Sequence, residues 1–138
     1  RRRRPEFPSR DAAYENFSSK PPLNVLAPEV LRLYVDYGFK NTPDGTVRLK
    51  CEPENEARTF ENNTSFDTYG HLGEIACPVL VMAEPARDLS PSMLAEETTS
   101  RLPRGRYHQF DQLDHFGPLE DPAAVGAVVA DFFASPAI

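Results

Sequence analysis

Two residues invite a chemical reading before any element is assigned. Asp88 and His115 stand 27 positions apart, each in a loop-like stretch that follows an apolar or alternating run. A carboxylate beside an imidazole fixes the ring tautomer and stabilises the imidazolium, which is what a general base needs when it activates a hydroxyl. The spacing corresponds to one helix plus one strand, which would set the two loops side by side at one end of a sheet. Glu84, at the start of the same loop as Asp88, is the second choice of acid. Asp114 is adjacent to His115 in sequence, and neighbouring side chains point apart, so it is not the expected orienting partner. His108 falls within an alternating run and reads as a strand residue, and His71 shows no partner. Asp111, Asp114 and His115 lack a second histidine at helical spacing and a cysteine pair, so neither a metal nor another cofactor is expected.

The elements that must position this pair occupy the second half of the chain. Pro78-Val79-Leu80-Val81-Met82-Ala83 is a continuous apolar run with β-branched residues, the pattern of a strand buried on both faces of a parallel sheet. Cys77, just before it, is expected to pack as a small hydrophobe. The loop from Glu84 to Pro91 follows, then a helix from about Ser92 to Arg101, a turn at Pro103-Arg104-Gly105, and a second strand from Arg106 to Phe110. Asp121-Pro122 is an N-cap with proline at the first helical position, opening a helix that carries Val125, Val128, Val129, Phe132 and Phe133. Strand, helix, strand, helix is a right-handed α/β unit, and in open sheets of this kind reacting groups gather at the carboxyl ends of the strands. Two parallel strands cannot bury both faces, so the unit reads as the edge of a larger sheet.

The first half reads differently, with the change near Asn62 to Tyr69. Ser9 can cap a helix whose Ala13, Tyr14 and Phe17 share a face, ended by Pro21-Pro22. Pro28 suits a first helical position, and Val30, Leu31, Tyr34 and Val35 form a buried stripe as far as Gly38, a candidate stop. A turn at Thr42-Pro43-Asp44-Gly45 precedes a short extended segment with Val47 and Leu49 on one face, and Pro53 opens a third helix through Ala57 and Phe60. Such a set is expected to cover something while enclosing little itself.

Taken together, Ile75-Ala76-Cys77-Pro78-Val79-Leu80-Val81, an aspartate-bearing loop, and His115-Phe116-Gly117-Pro118-Leu119-Glu120-Asp121-Pro122 before a terminal apolar helix resemble the closing portion of an α/β-hydrolase. The resemblance implies an α/β fold consisting of an incomplete sheet, its last two parallel strands with flanking helices, plus a helical cap. On that basis residues 1–66 are a cap or lid segment and residues 67–138 the C-terminal β-α-β-α part of the core. It further implies hydrolysis of a small apolar, ester-like substrate by a nucleophile, histidine and acid, with His115 as base and Asp88 orienting it. The chain departs from the family in having Ala83-Glu84-Pro85 where a glycine usually begins the acid loop. It also has no G-x-S-x-G, and Ser90, Ser92 and Ser100 lie in the acid loop or the helix after it, so the nucleophile and the oxyanion donors are expected from sequence before Arg1. Alone, the chain is expected to be inactive, with the missing N-terminal half of the core as its partner. Epoxide or haloalkane hydrolysis by an aspartate nucleophile is an alternative chemistry, and a non-catalytic lid or partner-binding module is an alternative class. Tyr34, Tyr37, Phe39 and Phe60 are packing residues first and, under the resemblance, substrate contacts second.

Composition narrows the partners. Among 138 residues, 15 Lys and Arg stand against 21 Asp and Glu, a net charge of -6 that disfavours nucleic acid over most of the surface. The run Arg1 to Arg4 reads as a solvated basic segment or one pairing with local acids. With 26% charged residues and a mean hydropathy of -0.49, no stretch approaches the ~20 apolar residues of a spanning helix, so no membrane partner is expected. Cys51 and Cys77 form no disulfide framework, which suits a cytoplasmic compartment; any leader would precede Arg1 and lie outside the chain.

Overall fold

The computed structural model describes residues 4–62, 67–87 and 90–135. The chain divides into two compact units, Arg1–Phe66 and Asp67–Ile138.

In the first unit, β1 (Glu6–Phe7) leads into α1 (Arg10–Ser18), whose first turn is closed by the Ser9 hydroxyl accepting from the Ala12 amide at 3.1 Å. Then α2 (Pro28–Gly38) runs directly into β2 (Phe39–Asn41) with no left-handed residue between them, so Gly38 ends the helix without acting as a left-handed stop. Arg10 reaches that junction. Its guanidinium donates to the carbonyls of Asp36 and Phe39, groups left without helical partners where α2 ends. Gly45, at φ 86°, closes the turn from β2 to β3 (Val47–Leu49), a conformation a Cβ would oppose. The chain ends this unit in α3 (Pro53–Glu61).

The three helices stand where expected, but the unit also builds a three-stranded antiparallel sheet in the order β1-β3-β2. Phe7, Leu31, Val35 and Phe39 are its most deeply buried large side chains, and the Phe7 ring meets those of Phe17 and Phe39 edge-on at 5.4 and 5.9 Å. The expectation that this segment encloses little is therefore corrected: it has its own core. Strands of two and three residues are too short to show an alternating pattern, which is why the sequence revealed only one of them.

In the second unit, β4 (Val79–Ala83) and β5 (Gly105–Gln109) pair in parallel, from Val79 opposite Gly105 to Ala83 opposite Gln109. Between them lie a 3-10 turn, Pro91–Leu94, and α4 (Ala95–Arg101). Helix was expected from Ser92. The segment opens instead as a 3-10 turn capped by Ser90, whose hydroxyl accepts from the Ser92 amide at 3.4 Å and from the Ser92 hydroxyl at 2.9 Å. Gly105 is required where α4 turns into β5, because a Cβ there would stand 2.6 Å from the Thr99 carbonyl oxygen. The chain then forms α5 (Gly117–Glu120) and α6 (Pro122–Ala134), the latter capped by Asp121 accepting from the Ala124 amide at 2.9 Å. All five β4 residues are half-buried where burial on both faces was expected, and Phe133 of α6 is 79% exposed. Cys77 is exposed, correcting its assignment as a packed hydrophobe. No helix among the described residues is long and apolar enough to cross a membrane.

These cores make two expectations concrete. Leu31→Ala should destabilise the first unit by about 2–5 kcal/mol through lost burial and a residual cavity. Gly105→Ala should destabilise the second by about 1–3 kcal/mol through overpacking against Thr99. Urea titration followed through resonances belonging to each unit checks both.

Candidate active site

The loops after β4 and β5 leave the same end of the strand pair. Pairing continues one step past the strands, with the Phe110 amide donating to the Ala83 carbonyl at 2.9 Å, so Glu84 and Asp111 start their loops from adjacent points. Beyond that step the second loop turns through Leu113 and Asp114, and the Gly117 amide donates to the Asp114 carbonyl at 2.9 Å. His115 thereby stands over the first loop, with Nδ1 3.7 Å from Glu84 Oε1. That separation is too long for a hydrogen bond and within ion-pair range. The imidazole is 58% exposed while the Glu84 side chain is 7% exposed, so a largely accessible ring rests against a buried carboxylate.

A buried carboxylate must be satisfied by donors. The Ser90 hydroxyl donates to Glu84 Oε1, and the Ser92 hydroxyl donates to Ser90 Oγ at 2.9 Å, with Ser92 itself 6% exposed. Burial is the largest single influence on the Glu84 carboxyl and pushes its pKa up. The Ser90 hydrogen bond, the backbone, the Ser92 hydroxyl and the nearby His115 together outweigh it and hold the group below the usual glutamate value. Glu84 is therefore an anion at neutral pH, despite its burial.

Alongside the pair lies a pocket of about 180 Å³ walled by Met82, Ala83, Phe110, Leu113 and Val125, with Glu84, Asp114 and His115 as its charged or polar lining. Asp114 points to Arg87, its Oδ1 2.7 Å from Nη1, which ties the two loops together at the surface. Its backbone amide donates to Glu120 Oε2 at 3.1 Å, anchoring the loop to α5.

The chain is similar in fold to a solved structure, that of E-2-(acetamidomethylene)succinate hydrolase, with a TM-score of 0.76 over 94% of this chain and 47% of that one, at 17% identity. The fold is that of an α/β-hydrolase. The small parallel sheet with its helices is consistent with the C-terminal portion of that fold. In sequence, the chain is 32% identical over 134 residues to proteins of Mycobacterium tuberculosis strains CDC 1551 and H37Rv, each named "Putative non-heme bromoperoxidase BpoC". The match takes in 95% of this chain and 46% of those proteins, so the chain spans about half the length of the curated relatives it matches. No protein-family model matches it.

Of the residues expected to act in this hydrolase fold, His115 stands at the mouth of the pocket, and Asp88 lies outside the described residues. Glu84, the second choice of acid, is the carboxylate brought to His115. Asp114 turns to Arg87 rather than to its neighbour, as adjacency in sequence implied. His108 is a half-buried strand residue whose ring meets Phe110 at 4.5 Å. His71 does have a partner, Glu74 at 2.7 Å, which the sequence reading missed because a 3-10 turn sets residues three apart on one side. Phe39 is 1% exposed in the first unit's core and is thereby removed as a substrate contact, while Tyr34 packs against Phe17. Tyr37 and Phe60 are exposed. Sequence reasoning gave no role to Ser90 and Ser92 beyond excluding them as nucleophiles; an S-x-S pair directly after an acidic loop was the available signal.

The lowered pKa of Glu84 fixes a pH dependence. Its ionised form stabilises the folded chain above the unfolded-state value of about 4.3. That contribution disappears as the pH falls through the lower folded value. The stability gap between the native chain and Glu84→Gln should therefore be full near neutrality and close on acidification, as measured by thermal melts across the acid range.

Proposed function

We propose that the chain forms the acid- and histidine-bearing part of a hydrolase acting on a small, largely apolar, ester-like substrate. The observation that carries this reading is the His115 and Glu84 pair standing beside an apolar pocket at the carboxyl end of the parallel strands. Because Nδ1 faces the carboxylate, Nε2 is the nitrogen left to exchange protons with a substrate or nucleophile. A base oriented in this way takes a hydroxyl proton as the oxygen attacks the ester carbonyl, then returns it to the departing alcohol; water repeats the sequence on the acyl intermediate and releases the acid.

This chain contributes no G-x-S-x-G, and its described serines near the site are engaged otherwise, Ser90 with Glu84 and Ser100 with the Glu97 carbonyl at 2.8 Å. The nucleophile and the oxyanion donors therefore belong, in this reading, to polypeptide carrying the rest of the sheet, with residues 1–66 serving as a lid. The half-buried β4 supports such a complement, since a parallel strand of this composition is normally covered on both faces. The pocket walls favour an apolar acyl or alcohol group.

The experiment uses the natural gene product that carries this sequence, assayed on short-chain p-nitrophenyl esters beside the 138-residue chain alone. The longer protein should turn over ester and take up a serine-directed phosphonate, and the chain alone should do neither. His115→Ala in the longer protein should lower kcat by about a hundredfold to ten-thousandfold. Unchanged turnover in that variant, or full activity in the chain alone, overturns the proposal.

A further inference from the structure

We propose that a recess between β5 and α6 is a second binding site, for an apolar molecule that carries a single carboxylate. Its volume is about 330 Å³, and it shares no lining residue with the pocket beside His115. Alternation along β5 sets Arg106 and His108 on one face of the strand pair, with Gly105, Tyr107 and Gln109 on the other. The parallel register places Leu80 opposite Arg106. From α6, Val128, Asp131 and Phe132 complete the lining, brought to one side of the helix by their spacing. The space between a parallel pair and an apolar helix is ordinarily filled by hydrocarbon, yet here β5 turns an arginine and a histidine into it.

The polar groups of this recess are uncommitted. Among the described residues, the Arg106 side chain makes neither an ion pair nor a hydrogen bond, and the Asp131 carboxylate has no partner. The His108 ring meets only that of Phe110. The Arg106 guanidinium lies over the Phe132 ring, 5.4 Å from its centre. An aromatic ring held against a guanidinium steadies it without consuming its N–H donors, and those donors match the two oxygens of a carboxylate. His108 stands two residues along the same strand face, about 6–7 Å away, and offers a ring N–H to the same anion.

The remaining lining sets the rest of the ligand. Leu80, Val128 and Phe132 give a hydrocarbon body something to bury against. Asp131 repels a second negative charge, which disfavours dicarboxylates and phosphate monoesters. Further polypeptide laid over the recess would not satisfy these groups with hydrocarbon alone, since that would bury Arg106 and Asp131 without partners. The site goes beyond the hydrolase reading, because neither Arg106 nor His108 lines the pocket on which that reading rests.

The experiment titrates 3-phenylpropanoate into the natural gene product that carries this sequence, followed by NMR of its methyl groups. The Leu80 and Val128 methyls should move and saturate with a Kd of about 1 mM, while the Leu113 methyls report separately on the pocket beside His115. Arg106→Gln should weaken binding by about 10–100-fold, and 3-phenylpropanamide, alike in shape and uncharged, should bind more weakly than the acid by a similar factor. Phenylsuccinate, with its second carboxylate, should also bind less well than the monocarboxylate. The proposal is overturned if the acid moves only the Leu113 methyls, or if acid and amide bind alike. It is equally overturned if the Leu80 and Val128 methyls stay still at about ten times that concentration, the result expected if an acidic side chain of the longer protein already occupies the recess. The amide comparison is made on the unmutated protein, so it decides the matter even where Arg106→Gln does not fold. His115→Ala should leave the Leu80 and Val128 titration unchanged, which separates failure of this proposal from failure of the hydrolase reading.

Discussion

Parallel pairing of β4 with β5, in the register that sets Ala83 opposite Gln109, is the constraint from which the rest of the second unit follows. Two loops of unrelated sequence start from neighbouring points only because the strands end level. A slip of two residues would keep every side chain on its proper face yet displace one loop by about 6–7 Å, beyond the reach of an imidazole for a carboxylate. Register is in turn held by the tight passage from α4 into β5 at Gly105, where the approach of the Thr99 carbonyl leaves no room for a Cβ.

The carboxylate beside that histidine shows two opposing effects resolved by local hydrogen bonds. Burial alone would favour a neutral carboxylic acid, which could neither stabilise an imidazolium nor fix a tautomer. Hydroxyls from Ser90 and Ser92, with the backbone and the facing imidazole, keep it ionised. The Ser90 hydroxyl also caps the segment that follows, accepting from the Ser92 amide where the 3-10 turn begins before α4. Ser90 thus links the start of that segment to the Glu84 carboxylate.

The two units meet the demand for burial differently. In the first, very short strands and three helices close around Phe7, Phe17, Leu31, Val35 and Phe39, with Arg10 satisfying the carbonyls exposed where helix passes into strand. In the second, an apolar strand and a strongly apolar helix retain uncovered surface: all of β4 is half-buried and Phe133 is 79% exposed. The relatives that this chain matches are about twice its length, and the surface that is uncovered here is of the kind that further strands and helices would cover.

Long or strongly patterned elements were determined by sequence alone. Pro28 and the Leu31 and Val35 stripe define α2, Ser9 and Asp121 cap their helices, and the Pro78 to Ala83 run defines a parallel strand, because each is a local preference repeated over enough residues to dominate. The position of His115 in the loop after the second strand was likewise legible. Short strands such as Glu6–Phe7 were not, since two residues carry no period and form only because β3 offers them partners. Nor could sequence choose among acids. Glu84 and Asp88 share one loop, and which carboxylate faces an imidazole depends on how the loop folds back over Ser90 and Ser92. Burial, register and the contact between loops 31 residues apart are properties of the assembled chain, so only the tertiary structure could bring Glu84 to His115.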